Sequence, residues 1–233
     1  FHSFGFTAGI CFPLLSGFQA SYHTSPLDTA QVIEMTRKRR CNVLFSTSTF
    51  VSTYARKAEP EDFASLKLVV LGAEKMKPHV ADYVEEKFGI RPLEGYGTTE
   101  LAPVVSLNLP DWLEGDEADA PRCSREGSIG LPLPGISVEI ADLETGERLP
   151  PGREGMLLVR GPNLMRGYLK KPTLTSEVIN NGWYTTGDIA RIDEDGFIYI
   201  TDRLLRFSKI AGEMVPHGAA EDVLASGLKV VEL

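Results

Sequence analysis

Apolar and polar positions in the first half of the chain alternate between helical and extended spacing. Over 29–40, Val32, Ile33 and Met35 fall between charged residues in a helical rhythm. Asp28 stands where its carboxylate can accept from free amides of that helix's first turn. Residues 42–45 follow as a short buried strand. Residues 63–67 lead into Leu68–Leu71, a second apolar run ended by Gly72. Pro78–Phe88 reads as a helix with Val80, Tyr83, Val84 and Phe88 on one side, stopped by Gly89. This alternation predicts an α/β layer with a mainly parallel sheet. Residues 108–127 break the pattern with Pro110, Gly115, Pro121 and a run of acids, the composition of a solvated loop. Beyond it, glycine and proline punctuate short apolar runs at 136–140, 156–160, 189–192 and 197–200, as in a small β-barrel or distorted sheet. The expected organisation is an α/β unit over 1–122, a β-rich unit over 123–201, and the beginning of a further unit over 202–233.

Composition narrows the class. A chain of 233 residues can bury a sizeable core, and 42% hydrophobic with 24% charged residues is ordinary for a globular protein. The net charge of −8, without a basic stripe, argues against nucleic acid as a partner. Cys11, Cys41 and Cys123 are odd in number and show no CxxC spacing, which reads as reduced thiols and a cytoplasmic setting. No apolar run approaches the roughly 18 residues of a spanning helix. Residues 1–15 are apolar but lack a basic leader and are interrupted by Gly5, Gly9 and Pro13, so they read as neither signal peptide nor span. A start at phenylalanine, inside a motif, points to a fragment of a longer polypeptide.

Two segments carry candidate chemistry. Gly95-Tyr96-Gly97-Thr98-Thr99-Glu100 gathers an aromatic ring, two hydroxyls and a carboxylate into one turn. The Tyr96 face can stack on a base, the threonine hydroxyls can hydrogen-bond a phosphate, and Glu100 can hold Mg²⁺ through hard oxygen ligands. An ordinary strand-end turn is the plain alternative. Gly182-Trp183-Tyr184-Thr185-Thr186-Gly187-Asp188 ends in an aspartate placed to accept from a ribose diol, and runs on to Thr201-Asp202-Arg203. By itself, an aspartate after glycine is a turn residue.

Together these segments resemble the adenylate-forming superfamily of acyl-CoA synthetases, luciferases and peptide-synthetase adenylation domains. Phe1-His2-Ser3-Phe4-Gly5-Phe6-Thr7, Leu44-Phe45-Ser46-Thr47-Ser48-Thr49-Phe50, Gly72-Ala73-Glu74-Lys75, Leu93-Glu94-Gly95-Tyr96, Ala102-Pro103-Val104-Val105-Ser106 and Lys209-Ile210-Ala211-Gly212-Glu213-Met214-Val215 are similar to the acyl-acyl carrier protein synthetase family. In some bacteria that enzyme is fused to a 2-acylglycerophosphoethanolamine acyltransferase.

The resemblance implies part of a large N-terminal domain followed by the start of a small C-terminal one. It also implies ATP-dependent activation of a fatty acid to acyl-adenylate, with ATP/AMP and Mg²⁺ in the site. The acyl group then passes to the phosphopantetheine thiol of acyl carrier protein, or to coenzyme A. Tyr96 would stack on adenine against a wall formed by Gly72, Ala73 and Glu74, with Gly97 and Thr98 in the same motif. Thr99 would touch the α-phosphate and Glu100 would ligate Mg²⁺. Asp188 would accept from both ribose hydroxyls, and Arg203 would contact the ribose or a phosphate. His2 would lie beside the acyl pocket and the thiol path, and Gly212 where the pantetheine arm passes. Bland readings stand beside these: a solvent-facing glutamate for Glu100, a surface ion pair for Arg203, a packed residue for His2, a β-turn for Gly212.

Some features depart from the family. The Ser/Thr/Gly-rich loop that cradles the β- and γ-phosphates should precede His2, and the adenylation lysine should come later than Leu233. Lys209 belongs to a different motif. Leu205 stands at a hinge position usually held by Asp or Lys. The isolated chain is therefore expected to be inactive or nearly so. Arg37-Lys38-Arg39-Arg40 could attract an acidic carrier protein, though cations at a helix C-terminus also favour its dipole. The pairs His23/Asp28 and His217/Asp222 have the spacing of glycerolipid acyltransferases, but that spacing is unspecific and the companion motif is absent, so both are rejected. A non-catalytic or acyl-transferring protein that keeps the fold is the reading from another class. Peripheral membrane association through the full-length protein, at the inner membrane, follows from the fused enzymes.

Overall fold

The computed structural model describes residues 2–110, 123–204, 207–210 and 213–216, the last two segments as backbone only. The chain opens in a broken helical stretch, α1 (Ser3–Phe6), a π-helical turn at Thr7–Cys11 and α2 (Phe12–Ser16). Then come α3 (Thr29–Arg39), β1 (Val43–Ser46), α4 (Ser48–Lys57), β2 (Leu68–Leu71), α5 (Pro78–Phe88), β3 (Leu93–Gly97), β4 (Val104–Leu107) and β5 (Leu131–Pro132). The second half holds β6 (Ser137–Ala141), β7 (Gly155–Arg160), α6 (Pro172–Val178), β8 (Ile179–Asn180), β9 (Trp183–Ile192) and β10 (Ile198–Arg203). A hairpin of β11 (Phe207–Ile210) and β12 (Glu213–Pro216) follows.

The first sheet runs β1-β2-β3-β4-β5, with β1, β2 and β3 parallel and the last two antiparallel. Helices α3, α4 and α5 pack side by side, and Val32, Ile33, Val51, Tyr54, Ala55, Val80 and Val84 close over Val69 and Leu71. The second sheet, β10-β9-β7-β6, is antiparallel and curled, with β8 on β9. The expected α/β layer and small barrel-like sheet are both present. Leu157, Val159, Tyr184, Ala190 and Ile198 of the second sheet share a core with Leu101, Val105 and Ile129, and the Tyr96 ring packs against it. The end of β3 thus lies where the two sheets meet.

Caps and breakers act as read: Asp28 accepts from the Gln31 amide at 3.4 Å, and Gly89 ends α5 in the left-handed region. Three elements were not read from the sequence. Ser48–Lys57 is helical although Ser, Thr and aromatics are indifferent helix formers, because Val51, Tyr54 and Ala55 at i, i+3 and i+4 are buried and Thr47 caps the first turn. The opening segment is helical despite its glycines, with Pro13 in the first turn of α2 where it needs no donor. The 182–188 segment is the start of a ten-residue strand, in which Gly187 takes φ 78°.

His23 and Asp28 meet, Nε2 to Oδ2 at 3.2 Å, while the other Asp28 oxygen caps α3. Of the basic run, Arg37 faces Asp62 and Lys38 pairs with Glu34. Leu205, Gly212, His217 and Asp222 lie outside the described residues, as does the side chain of Lys209.

Candidate active site

Parallel strands β1, β2 and β3 end at one edge of the first sheet, the place where open α/β sheets bind ligands. Thr47 to Thr49, the Gly72 turn, and the Gly97 to Glu100 turn are the three connections leaving that edge.

Tyr96 is aimed by a close approach of backbones. A Cβ on Gly97 would sit 2.1 Å from the Pro103 carbonyl oxygen, to which Thr98 N donates at 2.9 Å. The strand can thus turn sharply after Tyr96 only with glycine there. The Tyr96 hydroxyl donates to Asp188 Oδ2, ninety-two residues along the chain. Burial pushes the phenol's pKa far up, and the adjacent Asp188 charge pushes it further. Asp188 is only 3% exposed. Its amide is held by Thr186 Oγ1 at 3.0 Å, and Thr186 in turn donates to the Leu157 carbonyl. A register shift between Ile200 and Asp202 places Arg203 opposite Asp188 across β9 and β10, with Nε 2.9 Å from Oδ1. Both carboxylate oxygens are therefore engaged by the chain's own side chains, and the exposed Arg203 guanidinium leads from the buried acid to solvent.

Glu100 lies one turn further. Its Oε1 accepts from the Tyr168 hydroxyl at 2.7 Å, and the Tyr184 phenol stands close by. The hydrogen bond to Glu100, then burial, raises the pKa of Tyr168; burial, then the Glu100 charge, raises that of Tyr184. Thr98 Oγ1 is buried beside Tyr184 without a well-formed hydrogen bond. Thr99 Oγ1 lies 3.1 Å from Ser3 Oγ, and Thr7 donates to the Ala102 carbonyl, so the opening helical stretch is laid across this turn. His2, adjacent to Ser3, is exposed and accepts from the Phe4 amide through Nδ1.

The third turn is braced differently. Gly72 lies under the Phe4 ring, which meets the Phe45 ring edge-on at 6.1 Å. Ala73 takes φ 69°, a conformation that non-glycine residues seldom adopt and that concentrates at functional sites. The Glu74 carboxylate points to the N-terminus of α4 and accepts from Thr49 N at 2.6 Å and Thr49 Oγ1 at 3.0 Å. Burial raises its pKa, but the bonds from Thr47 and Thr49 outweigh that and hold it below the ordinary value.

The structure thus brings together Tyr96, Gly97, Thr98, Thr99, Glu100, Asp188 and Arg203. Gly72 and Ala73 end the neighbouring strand, and the Glu74 side chain is turned toward α4. Two clefts, of about 470 and 580 Å³, lie on the second sheet and are lined by none of these residues. Among the described residues no cluster of three metal-ligating side chains exists. The donor set still suits Mg²⁺, which is usually bound by one or two carboxylates together with substrate phosphates and water. Glu100 would be that carboxylate. Sequence reasoning assigned no role to Tyr168, Tyr184 or Ser3. Tyr168 had a weak local signal, a glycine before it and a proline-led helix after it, which marks a turn but names no partner.

A family model described as AMP-binding enzyme matches residues 1–169. A long-chain-fatty-acid–CoA ligase of Escherichia coli O6:H1 is 34% identical over 226 residues, covering 96% of this chain and 38% of that protein. A probable 4-coumarate–CoA ligase 3 of Dictyostelium discoideum is 32% identical over 238 residues, covering 100% of this chain and 41% of that protein. The crystal structure of ATP-bound MatB from Rhodopseudomonas palustris matches with a TM-score of 0.82 at 25% identity, covering 97% of this chain and 42% of that one. The chain belongs to the AMP-binding enzyme family, and its fold is that of the N-terminal domain of adenylate-forming enzymes. It spans between 38% and 42% of the length of these three relatives.

Proposed function

We propose that the protein containing this chain is an AMP-forming ligase that activates a fatty acid with ATP and passes the acyl group to a thiol. The observation that carries this reading is the convergence of Tyr96 and Arg203 on the buried Asp188. The Tyr96 ring offers a face to adenine. Asp188 accepts from the ribose hydroxyls, which must displace the Tyr96 hydroxyl or the Arg203 guanidinium now on its oxygens. Thr99, now beside Ser3, donates to an α-phosphate oxygen. Bound Mg²⁺ offsets phosphate charge, and Glu100 is the side chain that holds it. The fatty carboxylate attacks the α-phosphorus and the bond to pyrophosphate breaks. The thiol sulfur then attacks the acyl carbonyl, its proton is lost, and AMP leaves.

Coenzyme A is the acceptor we favour, since the E. coli relative is named for it. Acyl carrier protein is the second reading, supported by the motif resemblance around residues 1–7 and 209–215. On this proposal 1–122 and 123–201 are the α/β and β-rich parts of the large domain and 202–233 opens the small one. Gly212 and His2 border the thiol path, and the enzyme works in the cytoplasm with peripheral membrane contact through the rest of the protein. The family resemblance puts the phosphate-cradling loop and the adenylation lysine outside these 233 residues, and on that expectation we propose that the chain alone does not turn over.

The test is ATP–pyrophosphate exchange by the full-length protein with acids of graded length, followed by thioester assays with each thiol. Exchange should require a fatty acid, and Asp188→Ala should weaken ATP binding at least about tenfold, the loss of one charge-assisted contact. Exchange with short or aromatic acids alone would overturn the fatty substrate. No exchange with any acid would leave only a non-catalytic protein of this fold.

A further inference from the structure

We propose that Tyr168 is a positioning residue for the metal-binding carboxylate, orienting Glu100 so that it presents a fixed edge to the Mg²⁺ of bound nucleotide. The inference rests on the reading of Glu100 as the metal ligand. Tyr168 belongs to the loop between β7 and α6, and it reaches Glu100 across sixty-eight residues with a hydroxyl-to-oxygen distance of 2.7 Å. A carboxylate offers about four lone-pair sites. One phenol donor therefore fixes its rotation while leaving sites open to a cation. Partners of this kind behind a ligating group set its orientation and basicity, and their loss typically costs about 10–100-fold in metal affinity.

A purely mechanical role, pinning the loop to the turn, explains the contact less well. That loop is already fastened by three other bonds: Met165 N to the Glu100 carbonyl at 2.8 Å, and Asn163 Nδ2 to the carbonyls of Leu101 and Val104 at 2.6 and 3.0 Å. All three hold backbone. Only Tyr168 addresses the Glu100 side chain among these, and its own backbone is separately fixed. Tyr168 N donates to Thr175 Oγ1 at 2.9 Å, and Gly167 takes φ 145° with a Cβ position 2.7 Å from the Thr175 methyl. The loop is built to deliver the phenol to one place. Tyr184 also stands close to Glu100 but comes from β9, so phenols from two different elements gather at this carboxylate.

The experiment uses the full-length protein with ATP, no fatty acid, and Mn²⁺ as the probe, its binding followed by electron paramagnetic resonance. Tyr168→Phe keeps the ring and removes only the donor. We expect the Mn²⁺ dissociation constant to rise about tenfold or more, with the melting temperature shifted by no more than about 2 °C. Glu100→Gln should weaken Mn²⁺ at least as much. Mn²⁺ binding by Tyr168→Phe within twofold of the parent, beside a clear loss in Glu100→Gln, would overturn the positioning role alone. Unchanged binding in both variants would overturn the metal reading of Glu100 and this inference with it. Thr175→Val covers the case of a misfolded phenylalanine variant: it keeps the phenol but unfastens its backbone, and an intermediate loss of Mn²⁺ affinity is expected. Parent-like Mn²⁺ affinity in Thr175→Val would count against a delivered phenol.

Discussion

Replacing Gly97 by alanine tests whether the contact of β3 with the Pro103–Val104 segment is what aims Tyr96. The added methyl would lie 2.1 Å from the Pro103 oxygen, 2.7 Å from its carbonyl carbon and 3.0 Å from Val104 Cα. All three are backbone atoms, so no side chain can swing aside. The strands must part by more than 1 Å to reach ordinary contact, and the Thr98 N to Pro103 O bond is lost. Overpacking of this sort costs about 1–3 kcal/mol and the hydrogen bond about 1 kcal/mol, giving roughly 2–4 kcal/mol. For a folding unit of this chain's length each kcal/mol moves the midpoint by about 2–4 °C. Thermal unfolding of Gly97→Ala should therefore begin roughly 5–15 °C lower, and calorimetry should show ATP affinity falling with it. Gly5→Ala is the control: it lies in α1, nothing stands within 4 Å of its added methyl, and it should melt with the parent or slightly above it. A Gly97→Ala protein melting within 1 °C of the parent, with ATP affinity intact, would refute the reasoning.

Two further outcomes follow from buried polar groups. Asn108 is 4% exposed and makes four hydrogen bonds: Nδ2 to the Glu94 and Ser128 carbonyls, and Oδ1 from Arg125 N and Ser128 Oγ. Asn108→Ala strands several of these partners, at a cost of about 3 kcal/mol in urea unfolding; a loss under about 1 kcal/mol would contradict the network. Glu94 is buried, and burial raises its pKa against the opposing pull of the Met76 amide and Lys75. A carboxyl raised in the fold contributes stability that is full below its unfolded pKa and is lost as pH climbs through the folded value. Glu94→Gln keeps an acceptor for Met76, so it should melt above the parent at pH 8 and converge with it only as pH falls below the ordinary glutamate pKa of about 4.3. Parallel curves across that range would refute the sign.

Local chemistry in the chain was enough for α3, β2 and α5. Their periodicity, the Asp28 cap and the Gly89 stop act within one or two turns, and the fold obeys them. The α4 helix was not read from the sequence: Val51, Tyr54 and Ala55 have helical spacing, but its Ser-Thr-rich start carries a weak helix signal, and Thr47 and Glu74 satisfy its first amides. The 182–188 segment read as a turn because glycines flank it, yet pairing with β7 and β10 makes it a strand. The residue types suited to a nucleotide, Tyr96, Thr99, Glu100 and Asp188, were visible in the motifs.

That Tyr96 and Asp188 would serve one nucleotide followed from the family resemblance, and they do meet; no local signal in the chain showed it. The sequence alone determined the helices and strands whose signals lie within a few residues of each other, and the chemical inventory of two motifs. Only the tertiary structure decided that Tyr96 and Arg203 share Asp188, that Tyr168 stands behind Glu100, and that Glu74 serves α4. Those meetings depend on how two sheets are registered and docked. A one-residue change of register in β9 or β10 would turn Asp188 or Arg203 to the opposite face while leaving every local signal unchanged.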